Sequence, residues 1–187
     1  MMKRFALPAA LAIIAATAQA APVSIGQRAC SEFTSASDKI AAGKFTFEAT
    51  DVSIVEGAAA RDELPACWAA AISVDGADEL VVMVSGPMID ALAGRIAGGP
   101  IEDLPPRPAP SATSIKLFQP IGEAIVATLG RAWEDEPGGR LTMMGGTEEC
   151  RRALGSMDLA VALTLTVEGP TRGRVRLLVP PTCLGMR

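Results

Sequence analysis

The apolar positions of this chain change their spacing several times, and each change predicts a new element. They first recur at helical intervals, which predicts a helix over residues 23–42. Residues 44–57 then alternate apolar and polar side chains, with Phe45, Phe47 and Ala49 on the apolar side. This alternation predicts a half-buried strand.

Two longer apolar runs follow a predicted loop at residues 58–65. They cover about residues 66–74 and 80–85, and Asp75-Gly76 lies between them. This residue pair tolerates the positive φ angles of a tight hairpin turn. The pattern therefore predicts an antiparallel strand pair.

A short helix is predicted after this hairpin. Pro87 suits its first turn, because an N–H at that position would have no helical partner. Gly98 and Gly99 end the pattern and suit the end of a helix. The predicted apolar face consists of Ile89, Leu92, Ala93 and Ile96.

Five prolines fall within residues 99–113 and predict a semi-rigid linker near the middle of the chain. A second long helix follows, with Ser111, Thr113 or Ser114 as its capping residue. Its apolar positions recur at helical intervals and are Ile115, Phe118, Ile121, Ile125, Leu129 and Trp133.

The rest of the chain repeats the order of the first half. A strand is predicted at residues 140–146, and a loop or single helical turn at 147–155. A second strand pair is predicted at 158–169 and 173–180, with Glu168-Gly169 at its turn. The order of helix, strand and hairpin therefore occurs twice.

The two hairpins can be aligned without a gap at an offset of 93 residues, and four positions are then identical. The same offset lays the first predicted helix over residues 118–135. We interpret this as an internal duplication. The identical pairs in the two hairpins are Val74 and Val167, Gly76 and Gly169, Val82 and Val175, and Pro87 and Pro180.

A duplication of this kind predicts an α/β fold in which pseudo-twofold helix-strand-hairpin units share one mixed β-sheet, with helices packed on it. We expect a single domain over residues 22–187. Its halves would cover residues 22–98 and 114–187, joined by the proline-rich linker. With 49% apolar residues, the chain can bury one sizeable core.

The charge and the residue composition exclude several kinds of partner and reaction. The net charge is −4, and no basic stripe is present, so nucleic acid is not an expected partner. The chain contains no His, no Tyr and no Asn. Without imidazole there is no Ser-His or Cys-His nucleophile and no histidine metal ligand. We therefore expect no enzyme activity, no metal, no cofactor and no small-molecule substrate.

The four cysteines allow two interpretations. Cys30, Cys67, Cys150 and Cys183 are too widely spaced for a C-x-x-C motif, so each can be a small buried hydrophobe. The alternative is two disulfides, which require an oxidising compartment.

The first 21 residues resemble a secretory signal. They have a basic start, an apolar stretch from Phe5 to about Thr17, and an Ala18-Gln19-Ala20 end typical of a cleavage site. The alternatives are an alanine-rich helix that packs on the domain, or a start codon placed too far upstream. Cleavage near Ala20 would leave the first predicted helix intact.

Other polar groups have an ordinary interpretation beside a functional one. Residues 134–136 and 148–149 contain acidic clusters that suit a hard cation, although solvated surface is the simpler interpretation. Arg172, Arg174 and Arg176 alternate along a strand, as at a protected sheet edge, on a solvent-facing side of the sheet, or on a docking surface for an acidic partner. Residues 143–144 are both Met and suit either core packing or an adaptable contact surface.

The repeated units resemble a known family. The stretch "LPACWAAAISVDGADELVVMVSGPMIDALAGRIAGGP", a linker, a long helix ending in "RAW", and "LAVALTLTVEGPTRGRVRLLVPPTCL" are similar to the middle domain of the flagellar motor switch protein FliM. That domain shares its pseudo-symmetric α/β fold with the CheC and CheX phosphatases. The resemblance covers roughly residues 22–185, and its best local piece is "IDALAGRIAGG".

The resemblance implies a partner site. In FliM, the glycine-rich loop after the corresponding helix contacts the rotor protein FliG. The matching residues here are Gly98 and Gly99, with Arg95 and Ile96 just before them. The family motif has a further glycine after a spacer, whereas Pro100 follows here. A glycine cap before a proline-rich linker explains the same two glycines.

The resemblance covers the middle domain of a full-length switch protein. We expect the chain to lack the N-terminal segment that binds phosphorylated CheY and the C-terminal domain that joins FliN. CheC-type phosphatases place a Glu and an Asn about one helical turn apart. Here Glu123 occupies a comparable helix, but Val126 stands three residues on, so the resemblance does not extend to that activity.

Together, these features predict a non-enzymatic interaction module of flagellar motility and chemotaxis. Its expected partners are a rotor protein of FliG type and neighbouring copies of itself, in the rotor C-ring. The expected location is the cytoplasmic face of the inner membrane at the flagellar basal body. The alternative is an exported periplasmic or secreted protein of unknown binding role, with two disulfides.

Overall fold

The structure is a computed structural model that describes residues 27–31, 34, 45–74, 78–99, 109–133, 141–169 and 171–184. The strands in these ranges are β1 (Thr46–Glu56), β2 (Cys67–Val74), β3 (Asp78–Ser85), β4 (Leu141–Gly145), β5 (Leu159–Glu168) and β6 (Gly173–Val179). The helices are α1 (Gly57–Asp62), α2 (Gly86–Ile96), α3 (Ala112–Trp133) and α4 (Thr147–Ser156). Short 3-10 turns cover Leu64–Ala66 and Pro181–Leu184, and residues 27–31 are helical.

The six strands form one sheet in the order β1-β5-β6-β3-β2-β4. Exchanging β1 with β4, β2 with β5, and β3 with β6 leaves this order unchanged when it is read from the other end. The predicted α/β fold class, with both halves sharing one sheet, is therefore confirmed. One detail was wrong, because all five strand pairs are antiparallel and the sheet is not mixed.

The central strand pair shows the same symmetry in its register. Val82 lies opposite Leu177, and Val84 lies opposite Val175. Adding 93 to 82 and to 84 gives 175 and 177, so the offset of the sequence repeat exchanges these two pairs. Met83 lies opposite Arg176, and its own counterpart at that offset is Arg176. The pseudo-twofold axis therefore passes beside this pair.

Strand β1 follows its predicted alternation only at its beginning. Phe45 and Phe47 are buried, but Ala49 is exposed. The pairing of β1 with β5 shifts by one residue between Ala49 and Asp51, and such a bulge turns the following side chains to the other face. Thr50 lies at the bulge, and its hydroxyl donates to the carbonyl oxygen of Thr164.

Two predicted loops are helices. Residues 58–65 contain most of α1 and the turn Leu64–Ala66, and the predicted loop or single turn at 147–155 is α4. Both segments are too short for apolar periodicity to distinguish a helix from a loop. They fold as helices because they cover one face of the sheet, where they bury Ala60, Ala153 and Leu154.

The sheet separates two apolar clusters of different size. The larger cluster packs under α2, α3 and the helical residues 27–31, and contains large side chains such as Phe118, Leu163 and Trp133. The smaller cluster packs under α1 and α4. Alanine dominates its sheet face at positions 69, 71, 160 and 162, which lets these short helices approach closely.

Helix α3 confirms the long second helix. Ser111 caps its first turn, because the backbone N–H of Ser114 donates to the Ser111 hydroxyl at 3.0 Å. Phe118, Ile121, Ile125, Leu129 and Trp133 are buried as predicted. None of the described helices combines the length and the apolar character that a membrane span requires.

Trp68 of β2 packs beneath α3 at Gly122. A Cβ atom at Gly122 would lie 2.3 Å from Cζ2 of the indole, so only glycine permits this approach of helix and sheet. The ring also packs edge-on against Phe118, with 5.7 Å between the ring centroids. This contact sets the distance between α3 and the sheet.

Several predicted features lie outside the described residues. These are the signal-like residues 1–21, most of the first helix at 23–42, the turn at Asp75-Gly76 and linker residues 100–108. The domain boundaries stay predictions.

We expect Gly122→Ala to lower the free energy of unfolding by about 2 kcal/mol, because the added methyl group overlaps the Trp68 indole. Gly130→Ala, in the same helix, is the matched control. Nothing lies within 4 Å of a Cβ at Gly130, so alanine should raise stability by about 0.5 to 1 kcal/mol. Urea unfolding of both variants measures the difference, and equal effects would contradict this packing account.

Candidate functional site

The residues matched to the FliM contact loop lie at the end of α2, as predicted. Gly98 has a positive φ of 87°, which glycine adopts at little cost. The N–H of Gly99 donates to the carbonyl oxygen of Gly94 at 2.9 Å, and the N–H of Gly98 donates to that of Arg95 at 3.0 Å. These two bonds form a Schellman motif. The helix therefore ends in a fixed turn.

The side chains before this turn face solvent. Arg95 is exposed, and Ile96 is 49% exposed although the sequence pattern placed it on the apolar face. Leu92 and Ile89, one and two turns earlier, are buried in the core. The last turn of α2 thus presents an apolar side chain beside a cation on a rigidly packed helix. We call residues 95–99 the α2 turn.

Asp90 of the same helix was missed by the sequence analysis. Its side chain is buried, at 7% exposure, and no described group hydrogen-bonds or ion-pairs with its Oδ1 atom. Burying a carboxyl group without a partner is costly. The only signal in the sequence was a single acidic residue inside the otherwise apolar stretch 86–94.

Glu123, compared with the glutamate of CheC-type phosphatases, has a different setting. Its Oε1 accepts a hydrogen bond of 3.0 Å from Nε2 of Gln119. The side-chain Oε1 of Gln119 in turn accepts a hydrogen bond of 2.9 Å from the indole N–H of Trp68. Both ends of the Gln119 amide are therefore engaged within the fold, and the pair secures α3 over Trp68.

The arginine-rich strand is β6, which lies between β5 and β3. The interpretation as a protected sheet edge was therefore wrong, because β6 has a hydrogen-bonded neighbour on both sides. Nη1 of Arg176 lies 2.6 Å from both carboxylate oxygens of Glu63, which ties the turn after α1 to the sheet. Arg174 and Arg172 remain exposed.

These arginines border a groove that also contains acid. Its lining includes Arg174, Arg176, Asp62 and Glu63 around the first residues of α2. Opposite charges alternate in it, and Arg176 is already paired. The groove therefore offers no uniform field to an acidic partner.

All four cysteines are free thiols, so the alternative of two disulfides is not supported. Cys67 and Cys150 are buried in the smaller cluster, and burial raises the pKa of each thiol to about 12. Cys30 is half-buried, and burial also raises its pKa. Cys67 and Cys150 thus behave as the small hydrophobes that the sequence predicted.

The acidic clusters and the two neighbouring methionines singled out in the sequence do not form a common site in the described residues. Glu148 pairs with Arg151, and the side chain of Glu149 packs beside Gly145. In the described part of the chain, no three acidic or cysteine side chains come together to hold a metal, and residues 134–136 lie outside it. Of the two neighbouring methionines, Met143 packs against the core and Met144 is 51% exposed.

Solved structures share this arrangement of strands and helices. A chain of the FliG–FliM complex from H. pylori superposes with a TM-score of 0.76 at 14% identity, over 90% of this chain and 97% of that one. The FliM middle domain from H. pylori gives a TM-score of 0.68 at 12% identity, over 91% and 97%. This chain has the fold of FliM middle domains.

A protein other than FliM shares this fold. FliY from Thermotoga maritima superposes with a TM-score of 0.63 at 6% identity, over 97% of this chain and 95% of that one. No protein-family profile and no curated sequence matches the chain. At these sequence identities the likeness establishes the fold alone. Whether the α2 turn binds a partner has to be tested by experiment.

Thiol labelling tests the burial of the cysteines. At pH 8 a pKa of about 12 leaves only about one thiolate in ten thousand at Cys67 and Cys150, so Cys30 and Cys183 should react with Ellman's reagent first. Mass spectrometry of the labelled native protein identifies the sites, and urea should release all four. Rapid native labelling of Cys67 would contradict this assignment.

The same pKa shifts predict a pH dependence. Between about pH 9 and 12 the folded chain holds thiol protons that the unfolded chain releases. The free energy of unfolding should therefore fall as the pH rises through this range. Replacing Cys67 and Cys150 by alanine should flatten that decline relative to the wild-type protein.

Proposed function

We propose that this chain is a non-enzymatic interaction module of the flagellar motor switch type. It binds a rotor protein of FliG type through the α2 turn, with Arg95, Ile96, Gly98 and Gly99 at the contact. The observation that supports this most directly is Ile96, a 49% exposed apolar side chain at the end of a helix packed in the core. The fold likeness to a FliM chain solved together with FliG adds to it.

The geometry of the turn suits protein recognition. An apolar anchor next to an arginine is a combination that concentrates binding energy at interfaces. Because the Schellman hydrogen bonds already hold residues 94–99, little backbone entropy would be lost on binding. Gly98 has no side chain to shield Ile96, and nothing lies within 4 Å of a Cβ placed there. A partner surface can therefore approach the helix end closely.

The wider setting follows from the same proposal. A module of this type would sit at the cytoplasmic face of the inner membrane, in the C-ring of the flagellar rotor, beside further copies of itself. Its role would be motility and chemotaxis through protein contact. The four free thiols fit a reducing compartment better than the periplasm.

Substitution of Ile96 tests the contact. Ile96→Asp should raise the Kd for a FliG-type protein of the same organism at least about tenfold, because an apolar side chain that the partner would bury is replaced by a charge. Arg95→Glu should mainly slow association and change its salt dependence. Isothermal titration and stopped-flow fluorescence measure these effects. Gly99 is a poorer test position, since a Cβ there would lie 3.1 Å from the Gly94 carbonyl oxygen.

Ile54→Asp is the matched control, because Ile54 on β1 is also an exposed isoleucine, at 71%. Thermal unfolding of each variant shows whether the fold is intact. Equal weakening by Ile54→Asp, or unchanged binding of Ile96→Asp, would overturn the proposed contact. Absence of binding by the wild-type chain would overturn the proposed partner.

A further inference from the structure

A groove lies between the end of α4 and the chain that follows β6, and we call it the α4 groove. Its volume is about 600 Å³, and its apolar lining consists of Met157, Leu159, Pro180 and Pro181. Leu159 is 50% exposed. A single exposed leucine is ordinary on a protein surface, whereas a leucine grouped with other apolar side chains in a groove indicates a contact surface.

The internal repeat relates the α4 groove to the charged groove beside the first residues of α2. Three lining positions of one groove are counterparts of three lining positions of the other, at the offset of 93. These pairs are Ala66 and Leu159, Glu63 and Ser156, and Pro87 and Pro180. The α4 groove therefore has a leucine where its counterpart has alanine, and a serine where its counterpart has a carboxylate. Only the α4 groove of this pair has an apolar centre.

Both walls of the α4 groove are held by backbone hydrogen bonds. On one side, the carbonyl oxygen of Asp158 accepts a hydrogen bond of 3.3 Å from the N–H of Gly57, and Leu159 begins strand β5. On the other side, the N–H of Cys183 donates to the carbonyl oxygen of Pro180 at 3.1 Å. Little backbone entropy would therefore be lost when a partner binds.

The charges around this apolar centre are mainly negative. Glu79 and Arg152, which line the groove, form an ion pair of 2.6 Å and compensate each other. Asp158 also lines the groove and is exposed, and the exposed Glu56 lies opposite Leu159 in the pairing of β1 with β5. Neither of these two carboxylates forms an ion pair with a described residue. Two negative charges therefore remain uncompensated beside the groove.

We propose that the α4 groove is a docking site for a short segment of a partner protein in which a large apolar side chain stands beside a lysine or arginine. The apolar side chain packs on Leu159, and the cation faces Asp158 and Glu56. An apolar centre with a charged rim is typical of a protein contact, whereas a small-molecule site has its orienting polar groups inside the pocket. The groove shares no residue with the α2 turn and does not depend on the FliG-type partner.

A random peptide library displayed on phage tests the groove. Selection on the wild-type chain, after removal of phage that bind Leu159→Ser, should recover peptides with an apolar residue beside lysine or arginine. A synthetic peptide of this kind should bind Leu159→Ser at least about tenfold more weakly than the wild-type chain, and Asp158→Asn about three- to fivefold more weakly. Fluorescence anisotropy measures both Kd values.

Ala66→Ser is the matched control, because Ala66 is exposed and occupies the equivalent position of the other groove. This variant should bind the peptide as the wild-type chain does, and thermal unfolding of each variant shows whether the fold is intact. If no recovered peptide prefers the wild-type chain to Leu159→Ser, the docking site is overturned. Equal binding by Asp158→Asn and the wild-type chain, or peptides without a basic residue, would overturn the assigned chemistry.

Two further measurements separate this site from the α2 turn and from self-association. Ile96→Asp should bind the selected peptide normally, and Leu159→Ser should bind a FliG-type protein as the wild-type chain does. Loss of either interaction would contradict a separate site. Analytical ultracentrifugation tests a second copy as the occupant, and a wild-type dimer that Leu159→Ser abolishes would overturn the proposed partner.

Discussion

The antiparallel pairing of β3 with β6 is the contact on which the rest of the structure depends. It joins the two hairpins at Met83 and Arg176, the pair beside the pseudo-twofold axis. Each half also lends its first strand to the other, because β1 pairs with β5 and β4 pairs with β2. Neither half alone could satisfy its strand edges or bury its hairpin. The duplication therefore yields one core and not two domains.

The two halves diverge at the ends of their hairpins. After β3, Gly86 and Pro87 begin the eleven-residue helix α2, whereas the described residues after β6 form the turn Pro181–Leu184. Within the described residues, the α2 turn therefore has no counterpart in the second half. A symmetric core thus carries one asymmetric feature, and the proposed contact lies there.

Polar groups near the core fall into two kinds. Trp68, Gln119 and Glu123 satisfy one another, so this chain of hydrogen bonds stabilises the packing of α3. Asp90 has no such partner, and it lies next to the α2 turn. Burying a carboxyl group without a hydrogen bond is costly, so the two kinds of polar group act on stability in opposite directions.

The sequence by itself determined the repeat, the order of the long elements, the buried face of α3 and the glycine end of α2, because periodicity and the turn chemistry of glycine act locally. Tertiary structure alone decided the rest. Residues 58–65 and 147–155 became helices because a sheet face needed covering, and β6 became an inner strand through pairing across the pseudo-axis. Ile96 faces solvent because α2 extends beyond the core. Asp90 is buried because neighbours that are distant in sequence cover it.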